Sequence, residues 1–235
     1  MVKIIIIKER VKMLENVNQY FLYQEKKYIK PEKAGVLSQS MLDLRELAQS
    51  ARKEFIVISQ LLAEKVKPFE AERVSQWMNQ AQICRPHFWC YYRFPSDDID
   101  EVTLAIRLYG NYNDFGVSVE VSFIERKKSE KSLIQQRKVL NCPITAPSYY
   151  LAQNSGISYK IEGNEENRMM LMKKVERGEF RKVLIKQDVP YVKNQTVEEI
   201  IDRIAKVFDG LVPYYEETKK INTEMKHILE VSYPS

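Results

Sequence analysis

The chain has 235 residues, of which 44% are hydrophobic, enough for one large domain or two small ones with a buried core. Its net charge of +5 is small beside 37 basic and 32 acidic residues, which argues against a dedicated nucleic-acid-binding arm. Three cysteines, an odd number in a chain of this length, argue against a disulfide framework and indicate a reducing compartment.

Helical periodicity dominates the N-terminal part, residues 1–84. Apolar residues recur at helix spacing over residues 11–22 and again over residues 42–62. A third, shorter helix is predicted over residues 71–83, where four residues share one face: Val74, Trp77, Met78 and Ala81.

The apolar runs of the sequence are short. The four isoleucines at residues 4–7 are too few for the core of a signal peptide, and no other run approaches the roughly twenty residues that a membrane span needs. We therefore expect a soluble cytoplasmic protein with no membrane partner.

After Pro86 the repeat of apolar residues changes from about 3.6 residues, typical of helices, to two residues, typical of strands. This change predicts strands over residues 88–94, 102–109 and 115–124. Turn-forming residues at 109–114 predict that the last two strands form an antiparallel hairpin. Downstream, the patterns predict further strands at 148–152, 157–161 and 183–185, and helices at 127–140, 165–177, from 196, and from Pro213 to about 230.

Strands that cluster centrally, with helices at both ends, are typical of the α+β class. We expect a central antiparallel sheet flanked by helices. No linker-like composition separates the helical N-terminal part, residues 1–84, from the mixed part, residues 85–235. The sequence therefore predicts a single domain over residues 1–235.

Alternation along the predicted hairpin places polar side chains together on the face opposite the apolar one. This face carries Arg107, Tyr109, Ser118, Glu120 and Ser122. The strand over 88–94 adds either its odd-numbered or its even-numbered residues: His87, Trp89, Tyr91 and Arg93, or Phe88, Cys90, Tyr92 and Phe94.

Two interpretations of this face stay open. It is an ordinary solvent-facing sheet with a cross-strand Arg–Glu pair, or it is a site in which arginine forks hold an anion beside aromatic rings. In the second case the ligand-binding candidates are Arg85, Trp89, Tyr91, Arg93, Arg107 and Tyr109.

The sequence has few histidines and cysteines that could bind a metal ion. Cys84, His87 and Cys90 are spaced C-x-x-H-x-x-C, but zinc requires four ligands, and the remaining candidates Cys142 and His227 are isolated. No dinucleotide-binding, P-loop, serine-hydrolase, zinc-protease or EF-hand motif is present. We therefore expect no metal and no cofactor.

The segment from Trp77 to Trp89, WMNQAQICRPHFW, resembles a segment in a family of small uncharacterised bacterial proteins. The resemblance covers this motif and the hairpin that follows it. It implies a bacterial, cytoplasmic protein and assigns no catalytic residue.

Three functions follow as hypotheses. The first is a non-catalytic binding module that recognises a protein or anionic partner through the polar sheet face. Nucleic acid is one alternative partner, because aromatic rings flanked by arginine bind it without sequence preference. The second is an enzyme on a small anionic or phosphorylated substrate, with His87 as acid or base and Glu120 as its carboxylate partner. The third is a structural subunit that self-associates through its N-terminal helices.

Overall fold

The structure, a computed structural model, describes residues 14–220. Within them the α-helices are α1 (Glu15–Tyr20), α2 (Ser38–Lys65), α3 (Glu130–Arg137), α4 (Glu165–Glu176) and α5 (Val197–Lys219). The N-terminal isoleucines, the end of the predicted C-terminal helix and His227 lie outside the described residues.

The strands are β1 (Glu70–Ala71), β2 (Trp89–Arg93), β3 (Thr103–Asn111), β4 (Asp114–Ser122), β5 (Tyr149–Asn154), β6 (Ile157–Glu162) and β7 (Lys182–Pro190). They form one seven-stranded antiparallel sheet in the order β1-β2-β3-β4-β7-β5-β6. The predicted α+β class, with a central antiparallel sheet flanked by helices, is confirmed.

The chain divides into two compact units, each built from separate stretches of sequence. Unit 1 holds the chain up to Arg93, Ala105–Val119 and Asp188–Val207. Unit 2 holds Phe94–Leu104, Glu120–Gln187 and the chain from Phe208 onward. The single domain over 1–235 stays a prediction.

The core of unit 1 lies between α2 and the even-numbered side of β2. Phe55 of α2 packs against Phe88 with ring centroids 6.2 Å apart, and the Tyr92 hydroxyl donates to the Ser59 carbonyl at 2.9 Å. Cys90 between these two aromatic residues is also buried. The even-numbered residues of β2 are therefore the core set, which leaves Trp89, Tyr91 and Arg93 on the opposite side.

The helix predicted over residues 71–83 is wrong. The segment instead runs beside β2, where Glu72 N donates to Tyr91 O at 2.8 Å and Ser75 N donates to Trp89 O at 3.0 Å. It then reverses, with Gln82 in the left-handed region at φ 58°. Pairing with neighbouring backbone satisfies the polar groups here, so tertiary context overrides the helix propensity of an Ala- and Gln-containing segment.

Two helices were predicted near the C-terminus, but α5 is continuous and contains Pro213. A proline inside a helix removes one backbone hydrogen bond and crowds the preceding turn. The helix nevertheless keeps a buried stripe on both sides of the proline: Ile200, Ile201, Ile204, Phe208, Leu211, Tyr215 and Thr218. Burial of that stripe outweighs the local cost.

Candidate functional site

The side of β2 away from the core is half-buried and carries two aromatic rings and one arginine. Trp89, Tyr91 and Arg93 are of intermediate exposure, while Cys90 and Tyr92 between them are buried. The strand therefore presents the odd-numbered residues that the sequence analysis gave as one of two alternatives.

Two guanidinium groups lie against the Trp89 ring. The Arg85 Cζ atom is 4.7 Å from the ring centroid, and the Arg107 Cζ atom is 5.0 Å from it. We call Arg85, Trp89 and Arg107 the Trp89 cluster. All three belong to unit 1, and all three are of intermediate exposure.

Attraction and repulsion oppose each other in the Trp89 cluster. Each contact of a guanidinium with a tryptophan face contributes about 0.5–2 kcal/mol, depending on how far it is desolvated. The two guanidinium carbons are at most about 10 Å apart, the sum of their distances to the ring centroid, so the repulsion between the two charges is at least about 0.4 kcal/mol in water and larger where they are partly desolvated. The two contacts with the Trp89 ring oppose this repulsion.

Backbone contacts position Arg85 next to β2. The Tyr20 hydroxyl donates to the carbonyls of Trp77, at 2.7 Å, and Arg85, at 3.0 Å. The Arg85 N–H donates to Trp77 O at 2.8 Å. Burial raises the pKa of the Tyr20 hydroxyl well above its usual range, so it remains a neutral donor. Arg85 therefore sits on a fixed backbone turn.

Arg93 is held differently from the arginines of the Trp89 cluster. Its guanidinium pairs with Glu72, with Nη2 2.7 Å and Nε 2.8 Å from the same carboxylate oxygen. Glu72 belongs to the segment that was wrongly predicted as a helix, so this partner could not be found from the sequence pattern. The pair reduces the positive charge that Arg93 offers to a ligand.

His87 lies at the hairpin end of unit 1. Its Nε2 atom is 3.3 Å from the Gly110 carbonyl, and its ring contacts Phe21 edge-on at 6.1 Å. Gly110 has φ 90°, and a Cβ there would lie 2.1 Å from Asp114 O, so only glycine fits this turn. The structure gives His87 a backbone partner, and its role as acid or base stays a prediction.

Tyr109 packs over a glycine of the neighbouring strand. A Cβ at Gly116 would lie 2.3 Å from the Val189 carbonyl oxygen and 2.7 Å from the Tyr109 hydroxyl oxygen, so the close approach of the Val189 backbone requires glycine there. Burial, together with Asp188 and Asp114, raises the pKa of Tyr109 to about 12. The phenol is therefore a neutral group near pH 7. The role of Tyr109 as a ligand-binding residue stays a prediction.

Glu120, the predicted carboxylate partner of His87, belongs to unit 2 and is only 1% exposed. Its Oε2 atom lies 3.0 Å from Nζ of Lys186, whose side chain is 8% exposed. This carboxylate is taken up by a closed ion pair. The strand predicted over 183–185 was too short to include Lys186, which lies in β7. Its spacing of two residues from Leu184 is consistent with a longer strand but does not identify Glu120 as its partner.

The hypothesis of a solvent-facing polar sheet fails for β4. Ser118, Glu120 and Ser122 are at most 2% exposed. The serines tolerate burial because they are small and can donate to the backbone, as the Ser118 hydroxyl does to Arg107 O at 3.2 Å. Glu120 tolerates burial because it forms an ion pair with Lys186.

The cysteines are free, and Cys84 and Cys90 are buried. Burial raises the pKa of the Cys84 thiol, and it raises that of Cys90 to about 12, so both are protonated near pH 7. In the part of the chain from 14 to 220, no cluster of three or more histidine, cysteine or acidic side chains is arranged to bind a metal ion.

The sequence matches no model of a known protein family, and a search of curated proteins returns no significant match. Across the described residues, the helices are too short or too polar to cross a bilayer.

Proposed function

We propose that the protein is a non-catalytic binding module of the bacterial cytoplasm whose Trp89 cluster holds an anionic group of its partner. The observation that carries this proposal is the placement of two guanidinium groups against one half-exposed indole ring. The bacterial and cytoplasmic part is supported by the sequence resemblance and by three free cysteines.

The chemistry of the cluster favours a carboxylate or phosphate. A guanidinium carries five N–H donors in a planar fork, a geometry that matches the oxygen atoms of a carboxylate or phosphate. Two forks within one small area suit a group with several oxygens. Because guanidinium groups already cover the Trp89 ring, base stacking is the less favoured mode, and nucleic acid would be held through its phosphates.

Calorimetric titration with pyrophosphate, citrate and a short oligothymidylate tests the proposal. We expect saturable binding of at least one of these anions, with an affinity that falls as salt rises, since exposed charges are screened over about 8 Å at physiological ionic strength. Arg107→Gln and Arg85→Gln should each weaken binding about tenfold, because a charge-assisted hydrogen bond contributes about 1.5–3 kcal/mol. Arg177→Gln, which removes an equal charge from the residue that follows α4 in unit 2, is the matched control.

Fluorescence identifies the site of binding. The chain has two tryptophans, Trp77 and Trp89, so in a Trp77→Phe variant the tryptophan emission comes from Trp89 alone. We expect the anion to change this emission with the same midpoint as the calorimetric titration. Binding that leaves the Trp89 emission and the Arg107→Gln affinity unchanged would place the anion elsewhere, and no saturable binding of any of the three probes would refute the proposal.

A further inference from the structure

Two arginines of unit 1 lie near each other without a carboxylate partner. Arg52 belongs to α2, and Arg73 belongs to the segment between β1 and β2. Within residues 14–220, neither guanidinium forms an ion pair with a carboxylate. The nearby Arg93, in contrast, pairs with Glu72 at 2.7 Å. The positive charge of Arg52 and Arg73 is therefore not neutralised by the described part of the chain.

Backbone carbonyls fix the guanidinium of Arg52. Its Nε atom donates to Ser75 O and its Nη2 atom donates to Val74 O, both at 2.8 Å. Ser75 is itself paired with β2, because its N–H donates to Trp89 O at 3.0 Å and its hydroxyl accepts from Trp89 N at 3.2 Å. One edge of the guanidinium is thus held by rigid backbone, and Nη1 has no hydrogen-bond partner among the described residues.

Arg73 adds a second positive charge beside this guanidinium. It immediately precedes Val74, whose carbonyl binds Arg52, and its side chain is exposed, while Arg52 is of intermediate exposure. Burial and the charge of Arg73 lower the pKa of Arg52, and no carboxylate of the described residues offsets them. An anion between the two guanidinium groups would replace this repulsion with two attractions.

The acidic residues of α2 lie on other sides of the helix. At about 100° per residue, Glu46 and Glu54, the acids of α2 nearest to Arg52 in sequence, project about 120° and 160° away from it. The Glu54 carboxylate accepts from the backbone N–H groups of Asn16, at 3.3 Å, and Val17, at 3.0 Å. The helix therefore directs its nearest negative charges away from the two arginines.

We propose that Arg52 and Arg73 form a second anion site, which binds a phosphate group of a phosphorylated ligand. The Nη1 group of Arg52 donates to one phosphate oxygen, and the guanidinium of Arg73 donates to another. A phosphate suits the site better than a carboxylate because a phosphate monoester carries about −1.5 to −2 charges near pH 7. A carboxylate carries one negative charge and leaves one of the two cations uncompensated.

Calorimetric titration of the full-length protein with pyrophosphate tests this site separately from the Trp89 cluster. The background is Arg85→Gln/Arg107→Gln, which lacks both cations of that cluster. In it we expect one saturable site, which Arg73→Gln weakens about tenfold because one charge-assisted contact is lost. Lys53→Gln, which removes an equal charge from an exposed neighbouring position of α2, is the matched control and should change the affinity less than about twofold.

Thermal unfolding in the same background separates binding from a structural role. Arg73 makes no hydrogen bond within residues 14–220, so Arg73→Gln should leave the Tm without anion unchanged or raise it. Pyrophosphate at about a hundred times its Kd should raise the Tm of the background protein, since a ligand that binds only the folded state stabilises it, but not that of Arg73→Gln. Arg52→Gln also removes the contacts with Val74 and Ser75 and should lower the Tm with and without anion.

Three results would overturn the proposal. They are the absence of saturable pyrophosphate binding in the background protein, an equal loss of affinity in Arg73→Gln and Lys53→Gln, and an equal rise of the Tm with pyrophosphate in the background protein and in Arg73→Gln. None of them bears on the Trp89 cluster, whose cations are absent from every protein compared.

Discussion

The charged residues described above in the two units differ in their exposure and in their partners. In unit 1, Arg85 and Arg107 lie against Trp89 at intermediate exposure. In unit 2, Glu120 and Lys186 pair with each other and are closed to solvent. Arg107, Glu120 and Lys186 lie in strands with alternating patterns, whereas Arg85 precedes β2. Alternation thus predicts which side chains share a face of a strand, but the surrounding packing decides whether a charged group stays partly exposed or is paired in the interior.

The largest effect on the free energy of unfolding is expected from removing one residue of the buried Glu120–Lys186 ion pair. Lys186→Met leaves the Glu120 carboxylate buried without its cation, which should lower the free energy of unfolding by about 3–5 kcal/mol. The double variant Glu120→Met/Lys186→Met should recover most of this loss, because no charge then remains buried. Urea unfolding of the three proteins measures the difference; equal losses in the single and double variants would contradict a closed ion pair.

An intermediate effect on the free energy of unfolding, which depends on pH, is expected from Glu101, a second carboxylate of unit 2. Burial opposes ionisation of Glu101, but hydrogen bonds and charges from Lys131, Lys219 and Gln135 outweigh it and lower its pKa to about 2 from 4.5. A lowered pKa stabilises the folded state fully above the unfolded value, and this stability is lost as the pH falls toward 2. With allowance for solvent screening of Lys131, Glu101→Gln should cost about 2 kcal/mol at pH 7.

Urea unfolding of wild type and Glu101→Gln at a series of pH values measures this effect. The difference between them should be constant from pH 7 to about 5 and should shrink between about pH 5 and 2. Glu130→Gln, at an exposed position of α3, is the matched control. A difference that persists unchanged at pH 2 would mean that the Glu101 charge is not its source.

The smallest effect on stability is expected in unit 1. Arg107→Gln removes one guanidinium contact with Trp89 and the repulsion between Arg107 and Arg85, so we expect a loss below about 1 kcal/mol. The same urea experiment measures it. A loss as large as that of Lys186→Met would show that Arg107 is a structural residue and would remove the distinction between the two units.

Local patterns were sufficient for much of the fold. Period-two alternation placed β2, β3 and β4 within a few residues, and turn chemistry located the hairpin between β3 and β4. The segment over 71–83 and the continuity of α5 were not predictable, because backbone pairing with β2 and burial around Pro213 depend on tertiary contacts.

The candidate site shows the same limit. Alternation placed Arg107 on the polar face but left Trp89 as one of two alternatives for its strand, and the structure brings both together with Arg85. The partners Glu72 and Lys186 were not predictable, since each lies in a segment whose strand pairing was missed or shortened. Ion-pair partners distant in sequence follow from strand order, which alternation does not give.

The interleaved course of the chain has a practical consequence for dissection of this protein. Each unit draws on three separate stretches, and α5 contributes its first half to one and its second half to the other. No single cleavage separates the two units, and any contiguous fragment that contains all of one unit also contains part of the other. Expression of an isolated unit would require reconnecting its stretches with new linkers, so binding is best assigned by point substitution in the whole chain.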